Sequence, residues 1–309
     1  MIATAKPIGR LHADEIETDI GLARRLLAGQ FPHWADLELT PVASTGTDNA
    51  IYRLGDEMCL RLPRRPSAVL LIEKECAWLP KLAPLPLQVP KVLGVGQPNE
   101  EYPWAWSVCS WIDGDPVKPG RPRDPAQAAD AIAHFLRALQ AIDTTGGPLS
   151  GSLNHNRGVP LAQLDVKTRR AIANLEDEID TVQATALWAD ALAAPAWDRP
   201  PVWVHGDLQP SNLLANNGAI CAVIDFGLLG VGDPACDLTI SWSLLPKSAR
   251  PAFRAALSVD DTTWRRGRGW SLYTGVIALD YYRDSNSALS NLCRHALGEV
   301  LSEWSDARQ

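Results

Sequence analysis

Along the first third of the chain the apolar positions change period. Ile16, Ile20, Ala23 and Leu27 recur at helical spacing, which predicts an amphipathic helix from about Ala13 to Ala28. Three short β-rich runs follow, Leu37 to Ala43, Ala50 to Leu54 and Met58 to Leu62, separated by the turns Thr45-Gly46-Thr47-Asp48-Asn49 and Gly55-Asp56. A helix from about Val69 to Leu82 ends at the proline-rich stretch of Pro84, Pro86 and Pro90. Lys91 to Gly96 and Trp104 to Ile112 read as two further strands. The first part is therefore a five-stranded antiparallel sheet with a helix inserted.

The stretch Asp113-Gly114-Asp115-Pro116, continued by Pro119 to Pro125, is the strongest linker, and beyond it the pattern turns helical. Pro125 to Ile142, Leu161 to Val182 and Ala184 to Ala194 are predicted helices. A compact β segment runs from Val202 to Phe226, and helices resume from Ala235, interrupted near Pro246 and at Ser258 to Asp261. The expected architecture is α+β: a small β lobe over residues 1–113 and a larger, mostly helical lobe over residues 114–309.

Composition narrows the class. The chain has 309 residues, 46% hydrophobic and 21% charged, so it is globular. Its formal charge of −7 argues against a nucleic-acid binder, whose footprint is basic. Charge does not separate the lobes: residues 1–113 carry 11 basic and 14 acidic side chains, residues 114–309 carry 18 and 22. No lysine falls between Lys6 and Lys74. Six cysteines show no C-x-x-C pair, and read as buried free thiols in a reducing cytosol. The N-terminus has no apolar signal region and no stretch is long enough to span a membrane, so a soluble cytoplasmic protein, a monomer or weak dimer, is expected.

The chemistry is concentrated between Val202 and Leu238. After a short apolar run comes His205-Gly206-Asp207-Leu208. Asn212 lies five residues after Asp207, and Asp225 eighteen after it, at the end of the apolar run Ala222-Val223-Ile224. A hairpin of Asn212 to Ala215 and Ile220 to Ile224, turning at Asn216-Asn217-Gly218, returns Asn212 and Asp225 to the loop that holds Asp207. Three oxygen-bearing side chains at one sheet end suit phosphoryl transfer. One Asp accepts the hydroxyl proton, while an Asn and a second Asp offer hard oxygen ligands to Mg²⁺. The strings H-G-D-L-x-x-x-N and I-D-F-G follow the protein-kinase spacing, with Gly206 where those enzymes carry Arg. His205 is expected to order the loop. A metallohydrolase reading fails because no second His lies nearby.

These residues, with Gly232-Asp233-Pro234 and Asp237-Leu238, resemble the aminoglycoside phosphotransferase family over nearly the whole chain. The resemblance implies a protein-kinase-like two-lobed fold and transfer of the γ-phosphate of ATP or GTP to a hydroxyl of a small molecule. It implies Asp207 as the base, Asn212 and Asp225 as Mg²⁺ ligands, and Asp237 as a buried brace of the catalytic loop. In the small lobe, Ser44, Thr45, Gly46, Thr47 and Asn49 fall where a phosphate loop is expected. Arg61, in Arg61-Leu62-Pro63-Arg64, takes the position usually held by lysine, as in the related macrolide kinases. Its helix partner is Glu75, with Glu73 the competitor. Ser110, Trp111 and Ile112 fall at the hinge that meets the purine, where Trp111 either stacks on the base or packs between lobes.

The acceptor site is less marked. Arg157, within Asn154 to Val159, and Asp280, Tyr281 and Asp284, at the end of a late helix, are candidates, and Trp242 and Trp270 are candidate walls for an apolar acceptor. The expected acceptor is an antibiotic of aminoglycoside or macrolide type. The alternatives are a kinase of a metabolite such as an amino alcohol, and a non-catalytic nucleotide-binding module.

Overall fold

Leu60, Leu62 and Val108 are fully buried on one face of a sheet whose other face carries Cys59, Arg61, Ser107 and Cys109. That alternation places a helix on each side. A computed structural model describes residues 15–42, 48–82, 84–118 and 122–307. These divide into two units, one made of the described residues within 1–82 and 89–113, the other of those within 83–88 and 114–309.

The first unit holds strands β1 (Leu39–Pro41), β2 (Asn49–Leu54), β3 (Met58–Pro63), β4 (Val92–Gly96) and β5 (Trp106–Ser110) in the order β1-β2-β3-β5-β4, all antiparallel. Helix α1 (Ile20–Gln30) packs Leu22, Ala23, Leu26 and Leu27 against Leu54, Leu60, Leu62 and Val108. It starts later than the periodicity predicts, because Asp19 caps it by accepting the Leu22 N–H at 2.6 Å. The residues before it are used otherwise: buried Glu15 pairs with Arg64 at 2.8 Å and the Ile16 N–H donates to the Arg64 carbonyl. Helix α2 (Pro66–Trp78) begins three residues before the expected Val69, with Pro66 supplying the preset φ of a first helical turn, and relaxes into a 3₁₀ turn at Leu79–Lys81.

The second unit opens with the two-residue strand β6 (Asp115–Pro116), inside what the sequence reads as linker, followed by helices α3 (Pro125–Gln140), α4 (Asp165–Asn174) and α5 (Thr181–Ala193). One helix from Leu161 to Val182 was expected. A 3₁₀ turn at Leu161–Leu164 precedes α4, and the helix breaks after Asn174 because Asp180 caps a new one, accepting the Gln183 N–H at 2.9 Å. Strand β7 (Val202–Val204) pairs with a strand missed in the sequence, β10 (Gly230–Gly232). Between them lie β8 (Leu213–Asn216) and β9 (Ala219–Val223), whose two-residue turn Asn217-Gly218 has φ 51° and 85°, so the hairpin sits one residue from the expected register. β6 pairs with β8. Helices α6 (Ile240–Ser243), α7 (Arg250–Ala256), α8 (Asp261–Tyr282) and α9 (Ser287–Asp306) complete the unit. Helix α8 is its axis, burying Trp264, Trp270, Leu272, Val276 and Leu279.

No described helix is long and apolar enough to cross a membrane. All six cysteines are free, but only Cys109, Cys236 and Cys293 are buried; Cys59, Cys76 and Cys221 are half-exposed, which corrects the expectation of six buried thiols.

Candidate active site

The loop after β7 is held by one buried carboxylate. Asp237, fully buried in the 3₁₀ turn Pro234–Thr239, accepts the His205 N–H at 2.7 Å through Oδ2 and the Gly206 N–H at 2.8 Å through Oδ1. Burial pushes its carboxyl up to about 6, against the two N–H bonds that favour the ionised form. Gly206 has φ 80°, and a Cβ there would lie 2.4 Å from the Leu228 carbonyl oxygen, so glycine is required.

His205 ties the loop to the neighbouring strand. Its Nδ1 accepts the Asp207 N–H at 3.2 Å, and its Nε2 lies 3.1 Å from the Ile224 carbonyl oxygen. A carbonyl only accepts, so Nε2 carries the proton and the ring is neutral. Burial holds its pKa down at about 4, with the Asp225 charge opposing. Phe226 packs on the ring with centroids 4.7 Å apart.

Asp207, half-exposed, receives two side-chain donors on Oδ2: Asn212 Nδ2 at 3.0 Å and Gln209 Nε2 at 3.1 Å. The Asn212 Nδ2 also donates to the Asp207 carbonyl at 2.9 Å. Both partners are acceptors, which fixes which end of the buried Asn212 amide faces Asp207. Asn212 ends a 3₁₀ turn (Pro210–Asn212), and its carbonyl accepts the Ile224 N–H at 2.9 Å, which carries the hairpin ladder up to Asp225. Asp225 is exposed and left-handed at φ 65°, ψ 68°, a conformation costing roughly 1–2 kcal/mol for a side-chain-bearing residue. The second unit thus brings Asp207, Asn212 and His205 into one hydrogen-bonded group with Asp225 adjoining it. An amide oxygen and a carboxylate are hard donors of the kind that fit Mg²⁺. Among the described residues no group of three or more His, Cys, Asp or Glu is arranged to hold a metal.

The other sequence-chosen residues of this unit fall into different surroundings. Arg157 Nε donates to the Gly206 carbonyl at 2.9 Å, and its guanidinium lies 5.9 Å from the Tyr273 ring centroid. Asp280 accepts from Asn174 Nδ2 at 3.1 Å, exposed Tyr281 stacks edge-on against Tyr282, and exposed Asp284 lies 3.8 Å from Arg283. Trp242 and Trp270 do not wall an acceptor site. Both are fully buried: Trp270 lies on α8 itself, and Trp242 packs on Trp264 of α8 with ring centroids 4.9 Å apart and donates its Nε1 to Glu303 of α9 at 3.1 Å.

In the first unit, buried Arg61 and Glu75 form an ion pair, with Arg61 Nη1 at 2.8 Å from both carboxylate oxygens; Glu73 is exposed. Asn49 opens β2 opposite Pro63. Ser44, Thr45, Gly46 and Thr47 lie outside the described residues. Ser110 Oγ accepts the Lys91 N–H at 2.9 Å, and the Trp111 N–H donates to the Glu57 carbonyl at 2.7 Å. The Trp111 indole donates to Asp113 at 2.9 Å while Arg53 lies 4.4 Å above its ring; Ile112 follows, half-buried.

One contributor escaped the sequence reading: Gln209, two residues past Asp207 in the same tight loop, where a short-range donor could have been sought. Asp233, read from the sequence only as part of Gly232-Asp233-Pro234, forms a buried ion pair with Arg266 at 2.7 Å across a gap of 33 residues, a partner no local pattern marks.

Solved structures place this fold in a class. The GDP complex of aminoglycoside 2'-phosphotransferase-IIIa superposes with a TM-score of 0.70 at 18% identity, covering 93% of this chain and 99% of that one. Macrolide 2'-phosphotransferase type I gives 0.61 at 18%, covering 91% and 98%. The fold is that of the kinase-like small-molecule phosphotransferases. Residues 38–299 match the model of the phosphotransferase enzyme family, and the chain belongs to that family. The aminoglycoside 3'-phosphotransferase of Escherichia coli is 27% identical over 147 residues, which are 46% of this chain and 53% of that protein, so the chain spans about half the length of the curated relatives it matches.

Proposed function

We propose that the protein is an O-phosphotransferase that moves the γ-phosphoryl group of ATP or GTP to a hydroxyl of a small molecule, an antibiotic of the aminoglycoside or macrolide class. The observation that carries this reading is the Asp207 carboxylate held by Asn212 and Gln209 beside Asp225. The relatives support it: one is named for phosphorylating aminoglycosides, one for macrolides, and one was solved with GDP.

In this reading the acceptor hydroxyl gives its proton to Asp207 as its oxygen attacks the γ-phosphorus. The bond from that phosphorus to the bridging oxygen breaks, and the electron pair leaves with the nucleoside diphosphate. The donors from Asn212 and Gln209 fix the carboxylate rotamer, so the base is oriented before substrate arrives. Asn212 Oδ1 and Asp225 would hold Mg²⁺, which when bound neutralises charge on the β- and γ-phosphates. Arg61, itself fixed by Glu75, contributes a permanent cation toward the triphosphate. Ser110, Trp111 and Ile112 serve the purine of the nucleotide, and the 44–49 segment the phosphates. Asp207, Asn212 and Asp225 are all present, which favours an enzyme over a passive nucleotide binder. The reaction belongs in the cytoplasm, where nucleoside triphosphates and reduced thiols are found, and the chain acts as a monomer or weak dimer.

The test is transfer of labelled γ-phosphate to a panel of aminoglycosides, macrolides and amino alcohols, with Asp207→Ala as control. Asp207→Ala is expected to abolish transfer while nucleotide binding stays within about threefold. Wild-type turnover in that variant would refute the assignment.

A further inference from the structure

We propose that Arg157 is a positioning residue for Asp207, acting through the Gly206 carbonyl rather than by binding the acceptor. The inference rests on the reading of Asp207 as the base. The Gly206 carbonyl and the Asp207 N–H belong to one peptide group, and each end is held: the carbonyl by Arg157 Nε at 2.9 Å, the N–H by His205 Nδ1 at 3.2 Å. The plane of that peptide sets the direction of the Asp207 side chain. Gly206, lacking a Cβ and sitting at φ 80°, leaves the peptide the freest rotation in the loop, so an external hold is needed there.

The delivery of Arg157 is itself built. His155 and Asn156 are consecutive left-handed residues at φ 52° and 60°, a conformation costly for residues other than glycine. Asn154, 2% exposed, enforces it: its Oδ1 accepts the Gly151 N–H at 2.9 Å and its Nδ2 donates to the Arg157 carbonyl at 2.9 Å. On the far side the Asp233 N–H donates to the Gly158 carbonyl at 2.9 Å. The loop packs so closely on β10 that a Cβ on Gly230 would meet Asn154 Nδ2 at 2.4 Å, and one on Gly232 the Ser150 Oγ at 2.3 Å. The guanidinium lies over the Tyr273 ring. Backbone strain, a buried clamp and an aromatic platform converge on one bond to the peptide of the base.

The experiment compares Arg157→Ala and Arg157→Lys with wild type in steady-state transfer, with Asp207→Ala as reference. Expected is a 10- to 100-fold fall in kcat for Arg157→Ala, a smaller fall for Arg157→Lys, KM for nucleotide and acceptor within twofold, and partial recovery of Arg157→Ala by added guanidinium at concentrations that leave wild type unaffected. Hydrogen exchange of the Gly206 and Asp207 amides should quicken by at least tenfold. An acceptor KM raised with kcat unchanged, or no change at all, overturns the proposal. If Arg157→Ala does not fold, Arg157→Lys decides by the same kcat-to-KM split. If wild type phosphorylates nothing in the panel, the base assignment fails, and amide exchange alone decides whether Arg157 holds the peptide.

Discussion

One nitrogen of Arg61 stands 2.8 Å from each oxygen of Glu75, and both side chains are almost wholly buried between β3 and α2. Removing one partner leaves an uncompensated charge, so Glu75→Ala should cost about 3–5 kcal/mol in denaturant unfolding. Replacing both by apolar residues, Arg61→Met with Glu75→Leu, should recover most of that stability yet leave nucleotide KM raised tenfold or more. If the double variant binds nucleotide like wild type, the pair is architectural and Arg61 holds no phosphate.

Asn212 has its amide nitrogen committed to Asp207. Asn212→Asp replaces a donor by an acceptor facing the Asp207 carboxylate, and should lower kcat by at least 100-fold. Asn212→Ala should also raise the Mg²⁺ concentration needed for half-maximal rate. A metal titration of each variant checks this, with chelator addition to wild type expected to stop transfer.

Asp233 and Arg266 sit 6% and 5% exposed in their ion pair, and Asp233 also caps the turn that carries Asp237, accepting the Ala235 N–H at 3.0 Å. Arg266→Ala should therefore destabilise by about 3–5 kcal/mol. Below the lowered melting temperature kcat should remain within about threefold of wild type, since neither group touches the reacting atoms. A melting curve paired with low-temperature kinetics separates the two effects.

His205 and Asp237 make stability depend on pH in opposite senses. The His205 ring titrates near 6.5 when unfolded and about 4 when folded, so its contribution is full above pH 6.5 and lost as pH falls toward 4. Asp237 moves the other way, from 3.8 to about 6, so its contribution is full below pH 3.8 and lost as pH rises to 6. Relative to wild type, His205→Gln should gain stability on acidification from pH 6.5 to 4.5, and Asp237→Asn should lose it more steeply. Chemical unfolding at several pH values reads both slopes, and equal slopes in the two variants contradict the assignment.

Local signals made most elements legible. Short β-rich runs between turn residues marked β2 and β3, and Asn216-Asn217-Gly218 marked the hairpin that returns Asn212 toward Asp225. Boundaries slipped where a side chain rather than periodicity fixed the end: Asp19 delays α1 and Asp180 divides the helix expected from Leu161 to Val182. Strand β10 is too short and glycine-rich to announce itself; it exists because β7 and the loop before Gly158 supply its partners.

The sequence by itself determined the chemistry on offer: two aspartates and an asparagine at spacings suited to phosphoryl transfer. Those follow from residue type and chain distance, which a linear string contains. The tertiary structure alone decided that Trp242 and Trp270 are core, that Asp233 spends its charge on Arg266, and that Arg157 lies against the peptide between Gly206 and Asp207. Each of these depends on groups 33 to 61 residues apart, and only the packing of α8, α9 and the 151–158 loop brings them within bonding distance.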